Sequence, residues 1–153
     1  VILACSLSEL VTSIWPTLNC SVTELPSKND LVNLIISGSL LLVPYDCDKN
    51  FEPALLNGHY AHWCVIGGFL APNRSLNEVV WNQVIPKVTD MLYVFALHGK
   101  SRHFALWNYE SLVASNANLF EFSLKKSKDG YEYVLPKEGL EGLRCKCLVI
   151  SDH

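Results

Sequence analysis

Methionine is nearly absent from this chain: the only one is Met91, and the sequence opens on Val1. The chain is therefore expected to be an engineered, processed or fragmentary form of a longer protein. Long hydrophobic runs are missing as well. "LLLV" and "MLYVFAL" fall far short of the ~20 apolar residues that a membrane helix needs, so no membrane partner is expected. No basic segment precedes "VILAC" to mark a secretory signal. Positive charge is scarce too: 12 basic against 15 acidic residues leave a net charge of -3. That balance offers no electrostatic reason to expect nucleic acid or an acidic lipid. A G-x-S-x-G elbow, a P-loop and a dinucleotide-binding glycine pattern are all lacking, so neither serine-hydrolase nor nucleotide chemistry has a foothold.

What the sequence does contain is core. Of its 153 residues 50% are hydrophobic and 18% charged, the make-up of one globular domain, residues 1–153, rather than of a disordered chain. Six cysteines are present, Cys5, Cys20, Cys47, Cys64, Cys145 and Cys147. Their spacing fits no secreted disulfide framework, and several sit in apolar runs where a thiol behaves as a small hydrophobe. A reducing cytosol is the expected compartment, and the sequons at Asn19 and Asn73 carry little weight against it.

The periodicities order the chain. Ser6 and Glu9 have capping-box spacing, and Leu7, Leu10, Val11 and Ile14 follow with helical period, predicting a helix to about Trp15 that Pro16 ends. "CSVTELP" reads as an edge strand. "NDLVNLIISG" reads as a second helix, capped by Asn29 or Asp30 and closed by Gly38 at C′. "SLLLVPY" is a continuous apolar run, as expected of a buried strand. Residues 46–60 form a polar loop, and "AHWCVIGGFL" returns as a strand. Residues 71–90 read as a surface insertion. "MLYVFALHG", "HFALWNY", "YEYVLP" and "CLVIS" supply further strands, "NYESLVASN" a short helix, and "KKSKDG" a charged hairpin turn. Helices come first and antiparallel strands follow, which predicts an α+β fold.

The chemistry concentrates in "NGHYAHWCVIGGFL". On a strand starting near Ala61, His62 and Cys64 share one face, with Trp63 and Val65 on the other. A histidine at a strand entrance is placed to shuttle a proton, as in cysteine hydrolases, or simply to hydrogen-bond at a sheet edge. His59, His62 and Cys64, with Cys47 or the Cys145/Cys147 pair, raise a zinc reading. No pair has zinc-knuckle spacing, so no metal is expected. "DCDKNFE" lacks the glycine and terminal glutamate of a calcium loop.

Over "LLLVPYDCDKNFEPALLNGHYAHWCVIGGFL", "HGKSRHFALWNYESLVASNANLFEFS" and "DGYEYVLPKEGLEG", the chain resembles the actin maturation protease family. The ordered set PYD…GH-x-x-HW…HGKS…LW-x-Y-x-x-L-x-x-SN carries the resemblance, from about Leu40 onward. It implies a papain-like cysteine peptidase fold. The implied activity is removal of the acetylated N-terminal cysteine or methionine from immature actin, in the cytoplasm and without a cofactor. By the same resemblance, His62 is the general base, and Asn108 in "LWNY" has the chemistry and chain order of the residue that orients it; a different register would instead put the "HGKS" turn there, where His98 is not an obvious orienter.

One departure stands out. The resemblance implies a nucleophile upstream, in a Cys-Gly segment opening a helix, and this chain has no Cys-Gly. Cys5 precedes a capped helix but aligns after the nucleophile's helix. The chain thus looks like the C-terminal part of the peptidase domain, incomplete at its N-terminus. Two other readings stay open: a non-catalytic actin-binding form, and a small zinc-binding interaction module.

Overall fold

The structure, a computed structural model, describes residues 3–72, 91–122 and 139–152. The elements run α1 (Ala4–Ile14), β1 (Leu18–Glu24), α2 (Lys28–Ile36), β2 (Leu40–Asp46), β3 (Ala61–Leu70), β4 (Tyr93–Leu97), β5 (Ala105–Asn108), α3 (Tyr109–Ala117) and β6 (Lys146–Asp152). The strands form one six-stranded antiparallel sheet in the order β1-β6-β2-β3-β4-β5. The expected α+β class is therefore observed. Most of the 71–90 insertion, the "KKSKDG" turn and the "YEYVLP" strand lie outside the described residues.

Both faces of the sheet are covered, which explains why β2 reads as an unbroken apolar run rather than an alternation. Its Leu41, Val43 and Tyr45 enter the larger core with Leu31 and Val32 of α2, while Leu42 enters a smaller core with Ala4 and Leu7 of α1. β3 divides the same way: Cys64 and Ile66 face α2's core, Trp63 and Ala61 face α1's. Each fully buried leucine or valine contributes on the order of 1.5–3 kcal/mol, so a slip of one residue in β2 or β3 would be strongly selected against.

The helix ends correct two sequence expectations. α1 starts at Ala4 with Leu3 at its N-cap and no side-chain cap, so Ser6 lies inside the helix and there is no Ser6–Glu9 capping box. Burial of Ala4 in α1's core extends the helix beyond its best capping residue. α2 is capped by Ser27 rather than Asn29 or Asp30. The Ser27 Oγ accepts from the Asp30 amide and donates to its carboxylate at 2.6 Å. The far end of α2 follows the expectation. Gly38, at φ +88°, donates to Ile35 O, and Ser39 donates to Leu34 O, a Schellman closure.

α3 holds the end of β2. Ser115 Oγ donates to the Asp46 carbonyl at 2.7 Å and accepts from the Asp46 amide at 2.9 Å. Asn116 Nδ2 donates to Pro44 O at 2.7 Å and Lys146 O at 3.1 Å, joining β2 to the start of β6. The "SN" of the sequence pattern is thus a polar clip on the strand beside His62.

Candidate active site

His62 sits second in β3, opposite Tyr45 of β2, on the face that carries Cys64 and Ile66. Its ring is packed edge-on by Tyr45 at 5.9 Å and tilted against Phe51 at 5.6 Å. Its Nε2 lies 2.7 Å from the main-chain oxygen of His98, just past the end of β4. A carbonyl can only accept, so Nε2 carries the hydrogen and, in the neutral ring, Nδ1 keeps a lone pair. An imidazole in that state can take a proton from a thiol through Nδ1 and later return it to a leaving amine.

The loop after β2 brings Phe51 to the histidine, and Asp46 organises that loop. The fully buried Asp46 carboxylate accepts from the amides of Leu56 at 2.5 Å, Gly58 at 2.9 Å and Tyr60 at 3.1 Å. Those bonds gather residues 56–60 immediately before β3. Gly58, at φ +90°, is required there: a Cβ would stand 2.6 Å from Leu140 Cδ1 and 2.9 Å from the Glu121 carbonyl. The Phe51 carbonyl accepts the Tyr45 hydroxyl at 2.8 Å. Burial, the largest influence, and nearby thiols and carboxylates push the Tyr45 hydroxyl far above the usual tyrosine value, so it stays a donor.

Asp46 and Phe51 were not singled out from the sequence as site residues. The "PYD" block held the only signal for Asp46, and nothing in "DCDKNFE" distinguishes Phe51 as a ring that folds back over β3.

The cysteines divide clearly. Cys64, on the strand and face of His62, is 1% exposed and donates to Val43 O at 3.5 Å. Burial drives its thiol well above the usual range, the opposite of what a nucleophile needs. Cys147 is also raised by burial, against a lowering hydrogen bond with Thr23. Cys47 donates to Tyr60 O at 3.3 Å. Cys5 is exposed in the first turn of α1, whose core lies on the sheet face opposite His62. None of the six cysteines is in a disulfide among the described residues.

Asn108 is not brought to His62. It pairs with Tyr93 of β4, which pairs with Leu70 at the far end of β3. Along the strand that is roughly 25 Å from His62 at ~3.3 Å per residue. It also alternates with Trp107, whose ring is in the larger core, so its side chain leaves the other face of the sheet. Its Oδ1 accepts from the amides of Glu110 at 2.9 Å and Ser111 at 3.2 Å, capping α3. The expectation that Asn108 orients the imidazole is corrected on these grounds. His59 is a loop residue paired with Glu121 at 3.1 Å. Among the described residues, no three or more His, Cys, Asp or Glu side chains are grouped to hold a metal ion. Among those residues, too, no helix is long and apolar enough to cross a membrane.

Residues 3–70 match the family model described as actin maturation protease-like, C-terminal domain. The chain is 38% identical over 121 residues to the actin maturation protease of Drosophila melanogaster, covering 77% of this chain and 40% of that protein. The same-named protein of Danio rerio is 34% identical over 140 residues, covering 78% and 45%. That of Homo sapiens is 29% identical over 142 residues, covering 78% and 40%. The chain thus spans less than half the length of these relatives. No solved structure matches it.

Proposed function

The chain belongs with the actin maturation proteases, as a counterpart of their C-terminal part, and from that premise we propose that it supplies the histidine half of a cysteine aminopeptidase site. The reaction is removal of the acetylated N-terminal cysteine or methionine from immature actin. A thiolate attacks the carbonyl of that residue, His62 takes the thiol proton and delivers it to the departing amine, and water then releases the acyl group.

The observation that supports this reading best is the state of His62. It is half-buried under Tyr45 and Phe51, its Nε2–H is engaged by a carbonyl, and its Nδ1 has the free lone pair a base requires. Neither the buried Cys64, whose thiol is held protonated, nor Cys5, on the α1 side of the sheet, suits the partner role. We therefore assign the nucleophile to a segment outside these residues, headed by Cys-Gly and docked against the His62 end of the sheet. A helix bearing the thiol and a sheet bearing the histidine is the papain-like division of labour, and a histidine carried on an antiparallel sheet supports that reading. Six cysteines outside any disulfide suit a reducing, cytoplasmic setting.

The test is cleavage of an acetylated actin N-terminal peptide, followed by mass spectrometry, with this chain joined to a Cys-Gly helix segment from a relative. Cleavage that is lost in His62→Ala and in the Cys→Ala variant of the added segment supports the reading. Cleavage at the normal rate in His62→Ala removes His62 from the mechanism.

A further inference from the structure

Resting on that reading of His62 as the proton shuttle, we propose that its positioning residue is His98, acting through the main-chain carbonyl. The ring stack Phe51–His98–Trp107 holds that carbonyl in place. The task is the one usually left to a side-chain amide or carboxylate: accept the Nε2 hydrogen, fix the tautomer and aim Nδ1. Here the acceptor is 2.7 Å from Nε2 and belongs to the first residue beyond β4.

A peptide carbonyl is a neutral acceptor, like a carboxamide oxygen. It carries no NH₂ group that could flip into its place and enforce the opposite tautomer. Its weakness is that it is only as well aimed as the backbone that bears it. The surroundings of His98 answer that weakness. Its ring is stacked on Phe51 at 5.5 Å and 9°, and on Trp107 at 6.0 Å and 17°, one ring from the loop after β2 and one from β5. Its Nδ1 accepts from the Lys100 amide at 3.4 Å across the turn. Gly99, at φ +77°, lets the chain reverse immediately after the carbonyl.

The two stacking partners are themselves tied to the histidine's strand partner. Tyr45 packs against Trp107 at 5.0 Å, meets His62 edge-on and bonds the Phe51 carbonyl. His98 therefore cannot rotate without disturbing Phe51, which also contacts His62, and Trp107, which packs on Tyr45. The imidazole of His98 is a spacer in this arrangement, and its protonation chemistry is not used.

The test starts with the 153-residue chain itself, labelled with ¹⁵N, and a long-range ¹H–¹⁵N correlation spectrum recorded where His62 is neutral. His62 should show a protonated Nε2 and a bare Nδ1. The opposite tautomer, or an average of the two, overturns the proposal without any substitution. His98→Ala removes the ring but not the carbonyl, and should mix the tautomers. In the peptidase assay it should lower kcat about 10- to 100-fold with little change in KM, the scale expected of a misplaced catalytic group. His98→Phe keeps a stacking ring and should restore the wild-type tautomer and a kcat within about twofold, since only aim is at stake. If His98→Phe is as impaired as His98→Ala, the side chain acts directly; if His98→Ala matches wild type, the stack is idle. Either result overturns the proposal. The tautomer is read without turnover. The expected spectrum beside a fully active His62→Ala enzyme would sink the functional reading and leave the positioning intact.

Discussion

The two ends of the β3–β4–β5 sheet each present a polar side chain that accepted chemistry would recruit to a peptidase site, and they use it in opposite ways. At the entrance of β3, His62 gives its Nε2–H to a backbone carbonyl, and in the neutral ring Nδ1 keeps its lone pair. At the exit, Asn108 spends its side-chain oxygen on two amides at the start of α3. The residue types are equally suitable in isolation. What separates them is how much hydrogen-bonding capacity the local fold has already consumed. A side chain is available for catalysis only where the backbone around it is satisfied by something else.

The sharpest way to break this comparison is to truncate both residues in a peptidase-competent form of the protein. His62→Ala should lower the cleavage rate by at least about 10²- to 10⁴-fold, the range of general acid–base catalysis. Asn108→Ala should leave the rate of the folded fraction within about twofold, because capping residues act on stability rather than on a reacting atom. Equal losses in the two variants, at equal folded fractions, would restore Asn108 to the site.

The next effect concerns what holds the His62 end together. Asp46→Ala leaves three amides of residues 56–60 without their acceptor. Bonds to a charged group contribute ~1.5–3 kcal/mol each, and three that share one acceptor add to less than their sum, so urea unfolding should show a loss of about 3–5 kcal/mol. Asp46→Asn, which keeps oxygen but loses charge and one acceptor, should lose clearly less. Indifference of the protein to both would mean that the loop over His62 is ordered by packing alone.

A smaller effect separates the thiol beside His62 from a nucleophile. The folded state holds Cys64 protonated above its unfolded pKa, so at alkaline pH the unfolded chain releases a proton that the folded chain keeps. Stability is unaffected by this group below about pH 8.5 and falls above it, by up to about 1.4 kcal/mol per pH unit. Denaturant midpoints measured from pH 8 to 10 should therefore fall more steeply in wild type than in Cys64→Ala. Parallel curves would indicate a thiol that ionises freely, and with it a route back to catalysis for Cys64.

The smallest effect lies at the other end. Asn108→Ala should cost about 1 kcal/mol by loss of the α3 cap, and Asn108→Asp or Asn108→Ser only a few tenths. Thermal unfolding of the three variants measures it.

Much of the fold was readable because local signals agreed with tertiary need. Gly38 ends α2 where its positive φ closes a Schellman turn, and "LLLVPY" is a two-sided buried strand as its unbroken hydrophobicity implies. Legibility failed where tertiary contacts outweighed a local preference. Ser6 and Glu9 form a plausible capping box in sequence, yet burial of Ala4 starts the helix earlier. At the candidate site, the place of His62 at the strand entrance was legible. The group that accepts its Nε2 hydrogen was not: the sequence favoured Asn108 and offered the "HGKS" turn only as another register, because a main-chain carbonyl has no residue-type signature.

By itself, then, the sequence determined the elements, the α+β class, the kinship with actin maturation proteases and His62 as the histidine to watch. All of these follow from periodicity, turn chemistry and ordered motifs, which are properties of neighbours along the chain. Only the tertiary structure decided which groups surround that histidine. The register of β3, β4 and β5 carried Asn108 to the far end and the opposite face of the sheet, and brought the His98 carbonyl, Phe51 and Tyr45 in its place. Strand register and loop return are settled by packing between distant residues, so no short stretch of sequence contains that information.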